Sequence, residues 1–493
     1  MTASPDLFDL IKSLSKTEKK YILGLLRGFG ESNYLKLFTA IDQQLTYNEP
    51  EIKQRFSSEM FAKQLTFTKN YLYNLILKHL RSYYKESSLE VNIHNKLADI
   101  EILMQKGFLK QAFKRLKSIQ QRTENLDLFQ LQLLTRAIEK RMYMLGLYDI
   151  NLEKTLKEET KNLKLLENVV QIESDGLELY SNQMKFGMKH QDELTRQLTK
   201  RIFNKKSPPL STTAKILRLR SLTIILGNRG IFNSTFWNAL KEVDQLFNKD
   251  EKFKKANPLM YLSHLKNLAV AKVKQHDLSG GLAMLTQIEN WGKSKDLLLT
   301  EAVRFKLFES TAILKLECLL KLKRFKEVFD SLPEVVKQIR QFKGGIAKKD
   351  LVLKSLFVVS FCYYCNGQHN KAIRLLNEIV NEKTNVAYDV KSYSIILLLI
   401  CHFELRNFQA FTYVARFRKE SARPKWAERV IIDFFLTELS EPLNKAETKI
   451  RLLILKNKLI KNAHYKKSQE AFFDIVKWIE CRLVGKLYID TIE

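Results

Sequence analysis

Turn-forming residues are scarce: 16 Gly and 8 Pro among 493 positions, against 30 Phe and many Leu, Ile and Lys. That composition suits long helices joined by short connections. Cysteine is also rare. Five residues, an odd number scattered over a long chain, argue against a disulfide framework and for a reducing, cytoplasmic setting. No long apolar run occurs. The longest, Ile395 to Cys401, falls far short of the ~18 residues a membrane span needs, and the opening MTASPDLFDLIKSL has no basic stretch followed by an apolar one, so no secretory signal is expected. Acidic residues are outnumbered 54 to 83 by Lys and Arg, giving a net charge of +29. The resulting positive field points to a partner of acidic character, protein before nucleic acid.

The signatures of common chemistries are missing as well. There is no H-E-x-x-H, no G-x-S-x-G and no acidic calcium loop. Gly292-Lys293-Ser294 resembles the end of a phosphate loop but lacks the preceding Gly and strand. Cys362-Tyr363-Tyr364-Cys365, with Cys401-His402, has the ligand types zinc takes. However, Cys318, Cys362 and Cys401 share one position, five residues before the breaks at Lys323, Gly367 and Arg406, and Ala271 holds that position before His276. A small packing residue explains all four. No catalytic residue, metal or cofactor is expected, and the chain does not read as an enzyme.

What is present is internal repetition. Breaks at His276, Lys323, Gly367 and Arg406 are separated by 47, 44 and 39 residues, and each opens an amphipathic helix. An earlier pair has Leu97, Ile100, Leu103 and Met104 on one helix, Gly107 as its break, and Ala112, Leu116 and Ile119 on the next. The fold class is all-α: an α-solenoid of antiparallel helix pairs, in which stacking makes the core. Residues 1–86 read as a separate N-terminal helical cluster, 87–440 as the repeats, and 441–493 as closing helices ending near Gly485. In the cluster, Pro5 opens a helix closed by Gly28-Phe29-Gly30, Asn48-Glu49-Pro50 marks a later start, and one long helix is expected from Phe61 to Tyr84. Between Asn125 and Lys255 no breaks can be placed, apart from loops at Ser207-Pro208-Pro209 and Gly227 to Gly230.

Gly367, Ala372, Leu376 and Ile379, following Ser360 and Tyr363, resemble a tetratricopeptide (TPR) unit, with small residues where paired helices touch. Gly107, Ala112, Leu116 and Ile119 repeat it, Gly281, Leu285 and Ile288 follow it more loosely, and Val328 and Leu332, then Phe411 and Ala415, match in part. Pro333 departs from the pattern and should kink or restart its helix. The resemblance spans about half the chain. It implies TPR-like stacking and partner binding on a surface lined by the first helix of each pair. That selects Phe357, Phe361 and Tyr364, then Ile396, Ile400 and Phe403, as apolar anchors, with Lys266 and Lys274 as steering charges. Such a groove would accept an acidic or amphipathic protein segment. The alternative is that curvature or the closing helices bury these six residues.

Two basic regions stand out. Residues 449–467 hold Lys449, Arg451, Lys456, Lys458, Lys461, Lys466 and Lys467 and no acid, a candidate polyanion contact. Arg416, Arg418, Lys419, Arg423, Lys425 and Arg429 surround Trp426, which suits stacking plus phosphate contact or a solvated helix face. A second functional reading is a nucleic-acid-binding regulator, with residues 49–86 as a helix-turn-helix-like reader turning at Ser57-Ser58. The expected wing of strands is missing from the sequence, and the basic stripe Lys78, Arg81, Lys85 lacks the side chains that read base edges.

Overall fold

The five break residues named above share one backbone conformation in the computed structural model of the chain. Gly107, His276, Lys323, Gly367 and Arg406 have φ of 80°, 62°, 59°, 68° and 53°, all in the left-handed region. At each, the N–H of the break residue bonds the carbonyl three residues back, and the next N–H bonds the carbonyl five back, as in Phe108 to Leu103 and Gln368 to Tyr363, both 2.9 Å. These bonds satisfy carbonyls that the end of a helix leaves open.

The structure describes residues 5–28, 32–84, 89–186, 193–204, 207–228, 230–293, 301–342, 349–382, 388–410, 414, 426–439, 441, 443–461 and 474–491. Among these, the fold is all-α and no strand occurs. The N-terminal helices are α1 (Asp6–Ser13), α2 (Lys16–Gly28), α3 (Asn33–Gln43), α4 (Glu49–Arg55), α5 (Met60–Lys63) and α6 (Leu65–Tyr83). There follow α7 (Leu89–Gln105), α8 (Leu109–Thr123), α9 (Phe129–Met144), α10 (Leu152–Phe186), α11 (Glu193–Ile202), α12 (Thr212–Asn228), α13 (Ser234–Lys249) and α14 (Glu251–Ala256). Next come α15 (Pro258–Lys274), α16 (Leu278–Gly292), α17 (Glu301–Lys321), α18 (Phe325–Phe342), α19 (Lys349–Cys365), α20 (His369–Val380) and α21 (Tyr388–Glu404). The last are α22 (Trp426–Thr437), α23 (Lys445–Ile460), α24 (Ile475–Val484) and a 3₁₀ turn, Tyr488–Thr491. No described helix is long and apolar enough to cross a membrane.

Two units divide within α15, one running to His264 and the other beginning at Leu265. In the first, α1 to α6 close around Leu37, Phe38, Leu72 and Ile76, while α7 to α9 surround a separate apolar cluster that includes Ile100, Leu116 and Met142. In the second, α17 to α24 share one core that includes Leu332, Cys362, Leu399, Leu455 and Trp478.

Four of the five, Gly107, His276, Lys323 and Gly367, are followed two positions later by the start of a helix: α8, α16, α18 and α20. The positions five and nine after it are buried in all four, as Ala112 and Leu116, Gly281 and Leu285, Val328 and Leu332, and Ala372 and Leu376. Close approach explains the small residues. A Cβ on Gly281 would lie 2.7 Å from the Val273 side chain of α15, so only glycine fits without displacement. The fifth unit's Phe411 and Ala415 lie outside the described residues.

Three local expectations change. The first helix is two, because the chain turns extended at Leu14 and Ser15 then caps α2: Ser15 N–H donates to Glu18, and Glu18 N–H to the Ser15 hydroxyl. That reciprocal pair satisfies two open donors. The long helix from Phe61 is likewise interrupted at Gln64, separating α5 from α6. Of the two outcomes expected at Pro333, a kink or a restart, the restart does not occur, since α18 runs unbroken through it. Burial of Val328 and Leu332 before it and Ile339 after it holds one continuous apolar face in the core, against the lost donor at Pro333.

Beneath α6, Glu49 accepts from Lys69 at 2.7 Å and from Tyr47 at 2.8 Å, and pairs with Lys53 at 3.0 Å. Burial would raise this carboxyl, but the hydrogen bonds from Lys69, Lys53 and Tyr47 outweigh it and hold it down to about 2.

Two outcomes follow from this architecture. Lys323→Gly should stabilise the chain by about 1 kcal/mol in urea unfolding, while Gly367→Ala should destabilise it by about the same, because a left-handed residue with a Cβ is strained. Nothing lies within 4 Å of a Cβ built at Gly367, so its cost is purely conformational. For Glu49, the folded carboxyl is depressed, so its contribution is complete above the unfolded value of 4.5 and is lost as pH falls toward about 2. Glu49→Gln should therefore cost about 1 to 3 kcal/mol at neutral pH, with the gap to the parent closing across that acid range.

Candidate functional site

The six residues expected as an open apolar patch are core residues. Phe357, Phe361, Tyr364, Ile396, Ile400 and Phe403 are all buried, none more than 9% exposed. What covers them comes from far along the chain. The Tyr488 ring meets Phe361 edge-on at 5.8 Å and Tyr364 at 6.1 Å, and Trp478 of α24 meets Phe403 at 5.8 Å. The Trp478 indole N–H donates to Glu404 at 3.1 Å, and Arg482 pairs with the same carboxylate at 3.0 Å. Aromatic rings gain by packing edge-on against one another, and the closing helix and the 3₁₀ turn supply such partners.

The steering lysines differ from one another. Lys266 is half-buried and paired with Glu309, which also takes Lys306 at 2.7 Å. Lys274 is exposed at the end of α15. Of the basic stretch, Arg451 bonds Glu438 at 3.1 Å and Lys456 bonds Glu480 at 2.8 Å. Lys449, Lys458 and Lys461 are exposed, and Lys466 and Lys467 lie outside the described residues. So do Arg416, Arg418, Lys419, Arg423 and Lys425, while Trp426 and Arg429 belong to α22. In the N-terminal cluster, α4, a turn over 56–59 and α5 succeed one another, and Lys78 and Arg81 of α6 are exposed, with Lys85 outside the described residues.

A concave site lies elsewhere, in the first unit, as a cleft of about 760 Å³ walled by α8, α9, α10 and the start of α12. Its floor is an ion cluster. Glu139 of α9, 1% exposed, accepts from Lys117 at 2.6 Å, Arg136 at 2.9 Å and Gln120 at 3.2 Å. Burial works against this carboxylate, but the hydrogen bonds from Lys117 and Arg136 prevail and hold it below its usual range. Both cations line the cleft and share a single negative charge.

The rim is built by an unusual loop. Asn125 and Asp127 are both left-handed, with φ of 64° and 55°, and Asp127 accepts from the Thr213 N–H at 2.6 Å, pinning the start of α12 to the α8–α9 turn. Asn and Asp adopt that conformation more readily than other side chains. Gln121, Asn125, Gln132 and Asn162 face the cleft together with Lys154 and Lys161, while Phe129, Leu165, Leu210 and Leu246 supply its apolar part. Lys215 is matched by Glu242 at 2.7 Å and Asp127 is occupied at α12. Glu124 and Glu158 also line the cleft, and Glu158 pairs with Lys161 at 3.8 Å, so the positive charge left over comes from Lys154 and from the Lys117–Arg136 pair that shares Glu139. With amides that both donate and accept, this lining suits a polar extended ligand better than an apolar small molecule.

Sequence reasoning missed this cleft because its residues span 117–246 on separate elements with no common spacing. The readable signal was the Asn125-Leu126-Asp127 stretch, whose two residues tolerant of left-handed backbone mark the turn. The chain matches no protein-family model, no curated protein and no solved structure.

The cysteines are packed thiols. Cys318, Cys362 and Cys401 are fully buried, and burial pushes Cys318 up to about 11 and Cys362 up to about 12. A thiol so far from ionising is a poor nucleophile. Alkylation by iodoacetamide at mildly alkaline pH should therefore reach Cys362 and Cys401 only as the second unit unfolds; rapid labelling in the absence of urea, read by peptide mass spectrometry, would show them accessible instead.

Proposed function

We propose that this chain is a non-enzymatic protein-interaction scaffold of the TPR-like solenoid type, and that its first unit takes an extended, acid-bearing polypeptide segment in the cleft over Glu139. The helix hairpins closed by left-handed residues support the scaffold reading, since a repeated hairpin presents side chains in register along a surface. The observation that carries the binding reading is the cleft itself. Lys117 and Arg136 are held by one buried carboxylate, which fixes their side chains in place before a ligand arrives. Preorganised cations lose little freedom on engaging a carboxylate. The amides at Gln121, Asn125 and Asn162 match the alternating donors and acceptors of an extended main chain, which gives affinity without demanding a particular sequence.

Net charge contributes at longer range. At +29, the chain attracts acidic partners before contact, and this attraction is screened by salt.

A fluorescein-labelled Glu-rich peptide should bind the intact chain at least about tenfold more tightly than the same peptide with Gln for Glu. Lys154→Glu should weaken the Glu-rich peptide by about tenfold with thermal unfolding unchanged, because Lys154 is an exposed lining residue with no ion pair among the described residues. Equal binding of the two peptides, or indifference to Lys154→Glu, would sink the reading.

A further inference from the structure

Helix α23 has two apolar faces where a helix at the surface normally has one. Leu452, Leu455 and Leu459 are buried in the core of the second unit. On the opposite face Ile450, Leu453, Ile454 and Ile460 stand 61%, 48%, 57% and 40% exposed. Leu453 and Ile454 lie three and four residues after Ile450, and Ile460 lies two turns beyond Leu453, so the four share one broad side of the helix, with Asn457 inside it. The helix is firmly started, because Asn444 and Glu447 form a reciprocal cap, Glu447 N–H to Asn444 at 2.9 Å and Asn444 N–H to Glu447 at 3.3 Å.

Charge around this row is of one sign. Lys449, Lys458 and Lys461 flank it, exposed and with no carboxylate within ion-pair distance among the described residues. The helix's other two cations toward its centre are already matched, Arg451 by Glu438 and Lys456 by Glu480, and its one acid, Glu447, is used in the cap.

We propose that this outer face of α23 is a docking surface for an amphipathic helix of a partner protein, whose aliphatic row is flanked by Asp or Glu. Aliphatic side chains spaced three and four apart form ridges that interlock with those of a second helix, and the three free ammonium groups complement acids on its flanks. Asn457 within the row offers one polar contact of the kind that fixes register between paired helices. A second copy of the chain fits poorly, because self-pairing of this face would set the same lysines against each other. An anionic membrane fits less well than a helix, because the row carries no Trp, Tyr or Phe to seat at a lipid interface.

The site lies in the second unit and shares no residue with the cleft over Glu139 in the first, so the two can be tested independently. The probe is a fluorescein-labelled synthetic helix with Leu at three-and-four spacing and Glu on both flanks, titrated against the full chain. Binding should be saturable, weaken as salt rises, and disappear when Lys replaces Glu in the probe. Ile450→Gln with Ile454→Gln should weaken it about tenfold or more, and Lys458→Glu with Lys461→Glu comparably, with thermal unfolding unchanged because all four positions are exposed. Lys154→Glu should leave it unaltered. An absent interaction, or one indifferent to the Ile450/Ile454 pair, overturns the proposal. So does a dimer in sedimentation that this pair dissociates, or capture of phosphatidylglycerol vesicles that this pair abolishes while the probe helix does not bind.

Discussion

A left-handed residue at the end of a helix is the constraint from which the rest of the architecture follows. It reverses the chain in two residues, leaves the next helix antiparallel, and settles which side chains of that helix meet the one before. At Gly107 and Gly367 the conformation is free of strain, whereas His276, Lys323 and Arg406 adopt it against the preference of a residue with a Cβ. Their cost is about 1 kcal/mol each. At His276 and Lys323 it is offset by the apolar side chains that the turn delivers to the core, Leu285 and Leu332 nine residues later being wholly buried.

This is why so much of the helical arrangement was legible beforehand. Reversals leave a local trace: a polar residue or glycine, then a small or apolar residue at the fifth position and a leucine at the ninth. His276, Lys323 and Arg406 could be placed without being glycine because the flanking apolar periodicity changes phase there. Boundaries set by competing local bonds were less visible. Nothing in the pattern of residues 6–28 separates α1 from α2 except the capping pair of Ser15 and Glu18, which only the turn itself brings together. Pro333 shows the opposite case, in which a strong local breaker is overruled by apolar neighbours on both sides.

The functional surfaces were harder to read, for a different physical reason. Whether Phe361 is an anchor or a core residue depends on Tyr488, more than a hundred positions away, and no periodicity links the two. The cleft over Glu139 joins the end of α8 to the start of α12 through a hydrogen bond spanning 86 positions. Patterns along a chain report the face a helix turns inward; they do not report which later segment comes to lie on it. The basic stretch at 449–467 illustrates the same limit, since its charges looked equivalent until Glu438 and Glu480 took two of them and left Lys449, Lys458 and Lys461 facing outward.

The aromatic cover over the second unit also has a temporal side. Phe361 and Phe403 leave the ribosome well before Tyr488 and Trp478, which pack against them. During that interval a nascent chain carries an unshielded greasy trough, and its solubility rests on whatever occupies the trough meanwhile. A stalled or prematurely stopped message would release a product with the trough open, sticky toward chaperones and toward its own kind.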